Sequence, residues 1–176
     1  MCSDLMNLER DIKQLERNGV DYLHVDVMDA HFVPNLTFGV DFIAAMHRVT
    51  TLPLDIHLMV EHPLPIMEAM DIRPGDRISL HVELGEQLHE LAKAIRARGA
   101  HFGLVVNPST PVEALTPYLD EIEWVILMLV QPGFAGAKLI DGILDQVAAA
   151  RRFLDEHGHP ETEISVDGSG RCERAR

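Results

Sequence analysis

The run HVDVMD at residues 24–29 ends the first stretch of the chain that is typical of a β-strand. Because side chains alternate along a strand, His24, Asp26 and Met28 share one face. An imidazole and a carboxylate two residues apart on one face can bind a single metal ion. A loop-forming sequence begins at Ala30, so we expect this pair at the carboxyl end of its strand.

Two other predicted strands end in side chains with the same chemistry. In LDIHLM, residues 54–59, Asp55, His57 and Met59 share a face, and Asp167 is the last strand residue before a glycine turn. A lone strand histidine is usually a core residue, and an aspartate before glycine is usually a turn former. Four such residues at strand ends are a more specific pattern, which predicts one site for zinc, iron, manganese or cobalt. The predicted ligands are His24, Asp26, His57 and Asp167.

Composition excludes several classes of function. The chain has 176 residues, of which 47% are hydrophobic and 24% charged, and this suits one globular domain over residues 1–176. Its net charge of -13 excludes nucleic-acid and anionic-membrane partners, which need basic patches. The two cysteines, Cys2 and Cys172, give neither a disulfide nor a zinc spacing. With no signal-peptide pattern and no apolar run of about 18 residues, we expect a cytoplasmic protein.

Apolar runs that are typical of strands alternate with amphipathic segments along the whole chain. The predicted strands cover residues 20–27, 54–60, 77–82, 101–106, 124–130 and 163–166. The predicted helices cover residues 3–18, 40–48, 64–70, 86–98 and 139–157, with a short helix opened by Pro111. This alternation predicts a parallel sheet covered by helices, either doubly wound or part of a (β/α) barrel.

The predicted metal site favours the barrel. Adjacent strands lie about 4.8 Å apart, so a flat sheet in chain order would separate the first and sixth strands by about 24 Å. The ligands of one ion lie only about 2 Å from it. Reordered strands in a doubly wound sheet could also bring the ligands together, but a curled sheet is simpler. The active sites of barrels lie at the carboxyl ends of the strands, where these residues are expected.

Two glycine-rich turns follow the fifth and sixth predicted strands. In the turn QPGFAG, residues 131–136, glycine would let backbone amides approach a phosphate, and the N-terminus of the following helix would favour the anion. The run Gly168-Ser169-Gly170 offers a similar turn one strand later. Most glycine-rich turns are only turns, but two on neighbouring barrel strands lie where phosphate commonly binds.

Three methionines fall on the inferred inward face near carboxyl ends of strands. They are Met28, Met59 and Met128. A methionine in a strand is most often a core residue. Around an anionic intermediate, however, a polarizable side chain without a labile proton would exclude water and would not quench a carbanion.

Several of these runs closely resemble the ribulose-phosphate 3-epimerases and the related D-allulose-6-phosphate 3-epimerases. The runs are HVDVMDAHFVPNLTFG, PLDIHLMV, NPSTPVEAL, QPGFAGAKLI and ISVDGS. The resemblance covers about residues 3–169. It implies a TIM-barrel isomerase that inverts C3 of a small ketose phosphate. The substrate would be D-ribulose 5-phosphate, giving D-xylulose 5-phosphate, or D-allulose 6-phosphate, giving D-fructose 6-phosphate.

The resemblance also implies roles for individual residues. Asp26 and Asp167 would be catalytic, on opposite faces of the substrate, where one removes the C3 proton and the other delivers a proton. The divalent metal would stabilise the enediolate. The glycine turns would hold the phosphate, and the methionines would contact the intermediate. The substrate-binding residues would be His57, Met28, Met59, Met128, Gly133, Phe134, Ala135, Gly136, Gly168 and Ser169.

The chain departs from the family pattern within two loops and at both ends. Ala30 replaces the glycine usual after the MD pair, which would be unfavourable if the loop needs a positive φ. Ala137 stands where glutamine is common. The family's first strand is missing, and residues 170–176 do not resemble its last β/α unit. We therefore expect a TIM (β/α)8 barrel truncated to about six β/α units, and a homo-oligomer if the barrel is complete.

Other functions stay open. The VDGS turn, the MCSDL opening and the PGFAG turn favour allulose phosphate, whereas most sequences of this form act on ribulose 5-phosphate. Decarboxylases and aldolases of related barrels carry an Asp-x-Lys-x-x-Asp strand motif, and residues 24–29 have no lysine, which is evidence against them. An inactive remnant that binds metal or sugar phosphate without turnover is the non-enzyme alternative, because fold alone does not decide function.

Overall fold

The computed structural model describes residues 3–134 and 136–168. Within these residues the strands are β1 (Leu23–Met28), β2 (Leu54–Met59), β3 (Arg77–His81), β4 (His101–Val106), β5 (Trp124–Met128) and β6 (Glu163–Asp167). The α-helices are α1 (Leu8–Arg17), α2 (Val40–Val49), α3 (Pro63–Ala69), α4 (Leu88–Arg96) and α5 (Ile143–Glu156). Shorter 3₁₀ segments cover Leu5–Asn7, Val82–Gln87 and Val112–Glu121. The predicted alternation of strands and helices is confirmed.

Several elements differ from the prediction in their bounds or their type, and three of these differences are the most informative. β1 begins at Leu23 and not at residue 20; Leu23 is in register with Leu54, and its backbone N–H donates to the carbonyl of Pro53 directly before β2. The helix expected after Pro111 is a 3₁₀ segment with Pro117 inside it. α5 begins at Ile143 and not near residue 139, because Gly142 directly before it has a left-handed φ of 76°.

All neighbouring strands are parallel and follow one another in chain order, β1-β2-β3-β4-β5-β6. One face of the sheet packs against the helices and forms the main core. Its strand residues include Val25, Ile56, Ile78, Phe102 and Val125. The helices contribute Ile43, Met67, Ile95 and Leu154 to the same core. The opposite face carries the residues at alternate positions, including those predicted to do chemistry.

The sheet is strongly curled, because residues of distant strands meet on its inward face. Nε2 of His24 on β1 lies 3.9 Å from Oδ2 of Asp167 on β6. At the other end of the sheet, Arg77 on β3 lies 3.2 Å from Glu163 on β6. The contact between β1 and β6 is incompatible with a flat sheet, in which these strands would lie about 24 Å apart. The fold is therefore an α/β half-barrel of six parallel strands, consistent with a TIM-like domain, whereas truncation of an eight-stranded barrel stays a prediction.

No helix within the described residues is long and apolar enough to cross a membrane.

Candidate active site

One predicted ligand, His24, is the second residue of β1 and does not lie at its carboxyl end, yet four side chains from three strands converge on the inward face of the sheet. They are His24 and Asp26 from β1, His57 from β2 and Asp167 from β6. Each offers one potential ligand atom, and these atoms all lie within 4.8 Å of one another. Asp26 and His57 are partners in the β1–β2 register, whereas Asp167 reaches them because the sheet curls. All four predicted ligands therefore share one position.

His24 is oriented by a neighbouring carboxylate. Its Nδ1 lies 2.8 Å from Oδ2 of Asp55, and its Nε2 lies 3.4 Å from Oδ1 of Asp26. A carboxylate on one imidazole nitrogen fixes the proton there and leaves the other nitrogen as the ligand atom. Asp55 therefore directs Nε2 of His24 toward the shared position.

His57 is fully buried and presents its other nitrogen to the same position. Its Nδ1 lies 3.3 Å from Oδ1 of Asp26 and 3.4 Å from Oδ2 of Asp167. Among the described residues, this Nδ1 has no partner in hydrogen-bonding geometry. A buried polar atom without a hydrogen bond is uncommon in folded proteins. The lone pair of Nδ1 is thus available to a cation.

Both imidazoles are basic in this arrangement. Burial alone would lower the pKa of His24, but its hydrogen bonds to Asp26 and Asp55 outweigh burial and raise the pKa to about 10. Burial would also lower the pKa of His57, yet the carboxylates of Asp167 and Asp26 raise it. At neutral pH the ring of His24 therefore carries positive charge unless a cation replaces its proton, and His57 holds a proton more tightly than a free imidazole does.

The carboxylates are correspondingly acidic. Burial alone would raise the pKa of Asp26, but the imidazoles of His24 and His57 at 3.4 and 3.3 Å hold it well below its usual range. Burial also opposes ionisation of Asp167, and the neighbouring His57 lowers the pKa of Asp167 nonetheless. The site therefore holds two negatively charged carboxylates, and protons on the two neighbouring imidazoles can balance that charge.

These donors fit a divalent metal ion. Two imidazole nitrogens and two carboxylate oxygens suit borderline cations such as zinc, iron, manganese or cobalt. The available Nδ1 of His57 is the observation that supports this fit most directly. Asp55 supplies the outer carboxylate that commonly orients a metal-binding histidine.

The three methionines are buried beside this position. Met28 and Met59 are register partners two residues beyond Asp26 and His57, and they pack with Val33 in a cluster separate from the main core. Met128 is the register partner of Asp167 on the neighbouring strand. Each methionine is at most 3% exposed. All three are the last residues of their strands, and their contact with an intermediate stays a prediction.

The glycine turns lie at the same end of the sheet, directly after β5 and β6. Gly133, Gly136 and Gly168 have positive φ values of 111°, 77° and 93°, which glycine adopts without strain. The turn after β5 is held to the loop after β1, because the side-chain amide of Asn35 donates to the carbonyl of Gly133 at 2.6 Å. Phe134 is exposed. The predicted residues Ala135 and Ser169 lie outside the described residues.

One expectation for the phosphate turn needs correction. The helix N-terminus that was expected to follow the QPGFAG turn begins only at Ile143, seven residues after Gly136. The turn therefore cannot combine with the first turn of α5 as a continuous anion site. Any phosphate bound here would be held by amides of the turn itself.

Comparison with known proteins supports the resemblance seen in the sequence. A model of the Ribulose-phosphate 3 epimerase family matches residues 1–175. Ribulose-phosphate 3-epimerase of Bacillus subtilis (strain 168) is 39% identical over 175 residues, which are 99% of this chain and 81% of that protein. The enzyme of the same name from Treponema pallidum (strain Nichols) is 40% identical over 172 residues, 98% of this chain and 78% of that protein.

The chain belongs to the ribulose-phosphate 3-epimerase family. The prediction of an isomerase is thereby confirmed. A rice protein (Oryza sativa subsp. japonica) named "Ribulose-phosphate 3-epimerase, cytoplasmic isoform" is 36% identical over 172 residues, 96% of this chain and 73% of that protein. For this member of the family, a cytoplasmic location stays a prediction.

Sequence reasoning missed two contributors to the site. Asp55 was placed on the right face, but its contact with His24 depends on the β1–β2 register. His81 was not considered, although it is buried at the carboxyl end of β3 and lies 2.8 Å from His57. Strand alternation in RISLH, residues 77–81, could have identified His81, because it occupies the same kind of position as His57.

Proposed function

We propose that this member of the ribulose-phosphate 3-epimerase family inverts C3 of a ketose phosphate in a reaction that depends on one divalent metal ion. The observation that carries the proposal is the convergence of His24, Asp26, His57 and Asp167 within 4.8 Å. These residues would hold the ion, which supplies Lewis-acid stabilisation of negative charge when it is bound.

Asp26 and Asp167 are the proposed proton carriers. They come from β1 and β6, the two edges of the curled sheet, so a sugar lying between them would present a different face to each. In one direction, the carboxylate of one aspartate removes the C3 proton and the carboxyl of the other donates a proton to the opposite face. The reverse reaction exchanges these roles, so the two groups must differ in protonation state at the start of each turnover.

Surrounding residues would protect and anchor the substrate. Met28, Met59 and Met128 are buried and carry no acidic proton, so they would exclude water beside the reacting carbon without quenching the enediolate. Backbone amides of the turns at Gly133–Gly136 and at Gly168 would bind the phosphate. We propose the same role for Ala135 and Ser169 on the basis of the family resemblance alone.

D-Ribulose 5-phosphate is the favoured substrate. The relatives compared above are all named ribulose-phosphate 3-epimerase. D-Allulose 6-phosphate is the second candidate, because the VDGS and PGFAG runs favour that branch. The two sugars differ in chain length between C3 and the phosphate, so the position of the phosphate turns would decide between them.

Solvent exchange tests the function and the substrate together. The metal-replete protein is incubated with each sugar phosphate in deuterated water, with and without a chelator, and deuterium at C3 is measured by NMR. We expect metal-dependent deuterium incorporation, faster with D-ribulose 5-phosphate. Faster exchange with D-allulose 6-phosphate would reverse the substrate assignment. No exchange with either sugar, in folded and metal-loaded protein, would leave only the remnant that binds without turnover.

A further inference from the structure

His81 is a buried histidine for which the proposed reaction has no use. It is the last residue of β3, is fully buried, and points Nε2 at Nε2 of His57 across 2.8 Å. Its other nitrogen, Nδ1, faces Oε2 of Glu83 at 3.4 Å, an electrostatic contact that lies outside hydrogen-bonding geometry. The ring of Phe32 covers it, with ring centroids 4.7 Å apart. The three side chains His57, His81 and Glu83 thus form a line that leads away from the metal position.

Glu83 is the fixed end of this line. Its Oε1 accepts hydrogen bonds from the hydroxyl of Thr110 and from the backbone N–H of Asn107, both in the loop after β4. Burial opposes ionisation, but the imidazole of His81 nearby and the hydrogen bond from Thr110 lower the pKa of Glu83 to about 2. Glu83 is therefore a carboxylate at neutral pH, and a carboxylate only accepts hydrogen bonds.

The positions of the protons follow from this acceptor. Two imidazole nitrogens that face each other at 2.8 Å make a hydrogen bond only if one carries a proton and the other does not. The carboxylate of Glu83 favours the proton of His81 on Nδ1, which leaves Nε2 of His81 as an acceptor. His57 must then donate from its own Nε2, and its Nδ1 is left with a lone pair. That nitrogen faces Asp26 and Asp167.

The opposite arrangement would block the site. If His81 donated to His57, a neutral His57 would carry its proton on Nδ1, where the cation must bind. Nδ1 of His81 would then be an acceptor facing the acceptor oxygen of Glu83. Glu83 therefore selects between two tautomers of a residue that it does not touch.

We propose that Glu83 and His81 are positioning residues that hold His57 in the tautomer whose Nδ1 binds the metal ion. This inference rests on the metal site of the proposed function. It assigns opposite tautomers to the two metal-binding histidines. Asp55 places the proton of His24 on Nδ1, whereas His81 places the proton of His57 on Nε2.

Nitrogen-15 NMR of the zinc-loaded protein tests the tautomers directly, because the shifts of Nδ1 and Nε2 distinguish a protonated nitrogen from a metal-bound one. We expect a protonated Nε2 and a zinc-bound Nδ1 for His57, and the reverse for His24. We call the set His57, His81 and Glu83 the relay. Zinc bound to Nε2 of His57 would overturn the proposal that the relay leaves Nδ1 free for the metal ion. Failure of the wild-type protein to bind zinc would overturn the proposed function, and the relay with it.

Zinc affinity of variants tests the relay separately from catalysis. His81→Leu removes the acceptor, and Glu83→Gln offers a donor that favours the wrong tautomer of His81. We expect each variant to lose about 10–100-fold in zinc affinity, measured by competition with a fluorescent chelator. The matched control is His101→Leu, because His101 pairs with Glu123 at 2.6 Å at the opposite end of β4 and should bind zinc as the wild type does.

Two outcomes separate the relay from the metal site itself. Wild-type zinc binding with affinity unchanged within twofold in both His81→Leu and Glu83→Gln would overturn the relay and leave the proposed function intact. If His81→Leu fails to fold, the zinc affinity of Glu83→Gln and the NMR spectrum of the wild-type protein still show whether the tautomer of His57 is set in this way. A zinc-loaded Glu83→Gln protein should show a mixture of His57 tautomers where the wild type shows one.

Discussion

The two ends of the inward face use charge in different ways. At the amino end of the strands, the guanidinium of Arg77 lies 4.1 Å from the ring of Trp124 and 4.7 Å from the ring of Tyr22. It also forms an ion pair with Glu163 at 3.2 Å. Such a cation is held by cation–π contacts and a permanent counter-charge. At this end, a cation that keeps its charge at every physiological pH links β3 to β5 and β6 through the aromatic ring and the ion pair.

At the carboxyl end, the carboxylates of Asp26 and Asp167 lie against His24 and His57. An imidazole can give up its proton to a metal ion that binds the same nitrogen, whereas a guanidinium cannot. The carboxyl end can therefore exchange protons for a cation, and the amino end cannot. The comparison indicates that permanent pairing stabilises one end, while exchangeable protons at the other end are available for chemistry.

The largest effect should come from the proton carriers. Asp26→Asn and Asp167→Asn each remove one acid/base group, so we expect the rate of epimerisation to fall by about 10³-fold or more. The folded protein should persist, as judged by circular dichroism. The rate is measured by a coupled assay with D-ribulose 5-phosphate.

Glu163→Gln is the matched control, because Glu163 lies on β6 with Asp167 but at the amino end. It should leave the rate unchanged and lower the free energy of unfolding by at most about 1 kcal/mol, since Glu163 is partly exposed. A loss of activity in Glu163→Gln equal to that in Asp167→Asn would break the distinction between the two ends.

The amino end should instead respond through stability. A Cβ added to Gly103 would lie 2.2 Å from the indole ring of Trp124, so something must move. We expect Gly103→Ala to lower the free energy of unfolding by about 2 kcal/mol in urea titrations while zinc affinity of the folded protein is unchanged. In the double variant with Trp124→Leu, the added cost of Gly103→Ala should largely disappear. An additive double variant would show that the ring contact is not the cause.

Protons should leave the carboxyl end when the metal binds. The pKa of His24 is raised to about 10, so this ring is charged in the metal-free protein at pH 7.5, and the pKa of His57 is raised as well. Calorimetric zinc titrations in two buffers of different ionisation enthalpy should detect proton release, and affinity should rise with pH by up to about tenfold per unit for each released proton. Affinity that does not change between pH 6 and 9 would contradict this charge state.

The same shift predicts how the metal-free fold depends on pH. Because the folded pKa of His24 lies above the value of about 6.5 expected for an unfolded chain, its ion pairs stabilise the fold fully below that pH. This contribution is lost as the pH rises through about 10. Unfolding of the metal-free protein at pH 6, 8 and 10 measures the loss.

The smallest effect concerns the loop that follows the metal-binding strand. Ala30 has a φ of 60° and is the one non-glycine residue with positive φ among the described residues. Because this conformation is strained for an alanine, we expect Ala30→Gly to raise the free energy of unfolding by about 0.5–1 kcal/mol. Ala148→Gly in α5 should instead lower it by about 1 kcal/mol. If both substitutions destabilise equally, the loop does not require positive φ.

The sequence predicted the features that depend on strand alternation. Placing His24, Asp26 and His57 on one face needed only the period of two, and Asp167 followed from its position at a strand end. The curl of the sheet was inferred from the need to bring Asp167 to the other three. Ala30 was correctly identified as a residue that would be strained by a positive φ.

Features that depend on register and side-chain direction were beyond sequence reasoning. The contact of Asp55 with His24 requires the β1–β2 alignment, and the contact of His81 with His57 requires β3 as well. The late start of α5 depends on the left-handed backbone of Gly142, which one glycine in a loop does not reveal. The tautomers of His24 and His57 can be inferred only when the contacts of both rings are known.

Anomalous diffraction from crystals grown with zinc tests the central claim most directly. We predict one strong peak at the carboxyl end of the sheet, about 2.0–2.1 Å from Nε2 of His24 and Nδ1 of His57 and about 2.0–2.2 Å from carboxylate oxygens of Asp26 and Asp167. A metal-loaded crystal with no peak there, or with zinc bound through Nε2 of His57, would contradict the account.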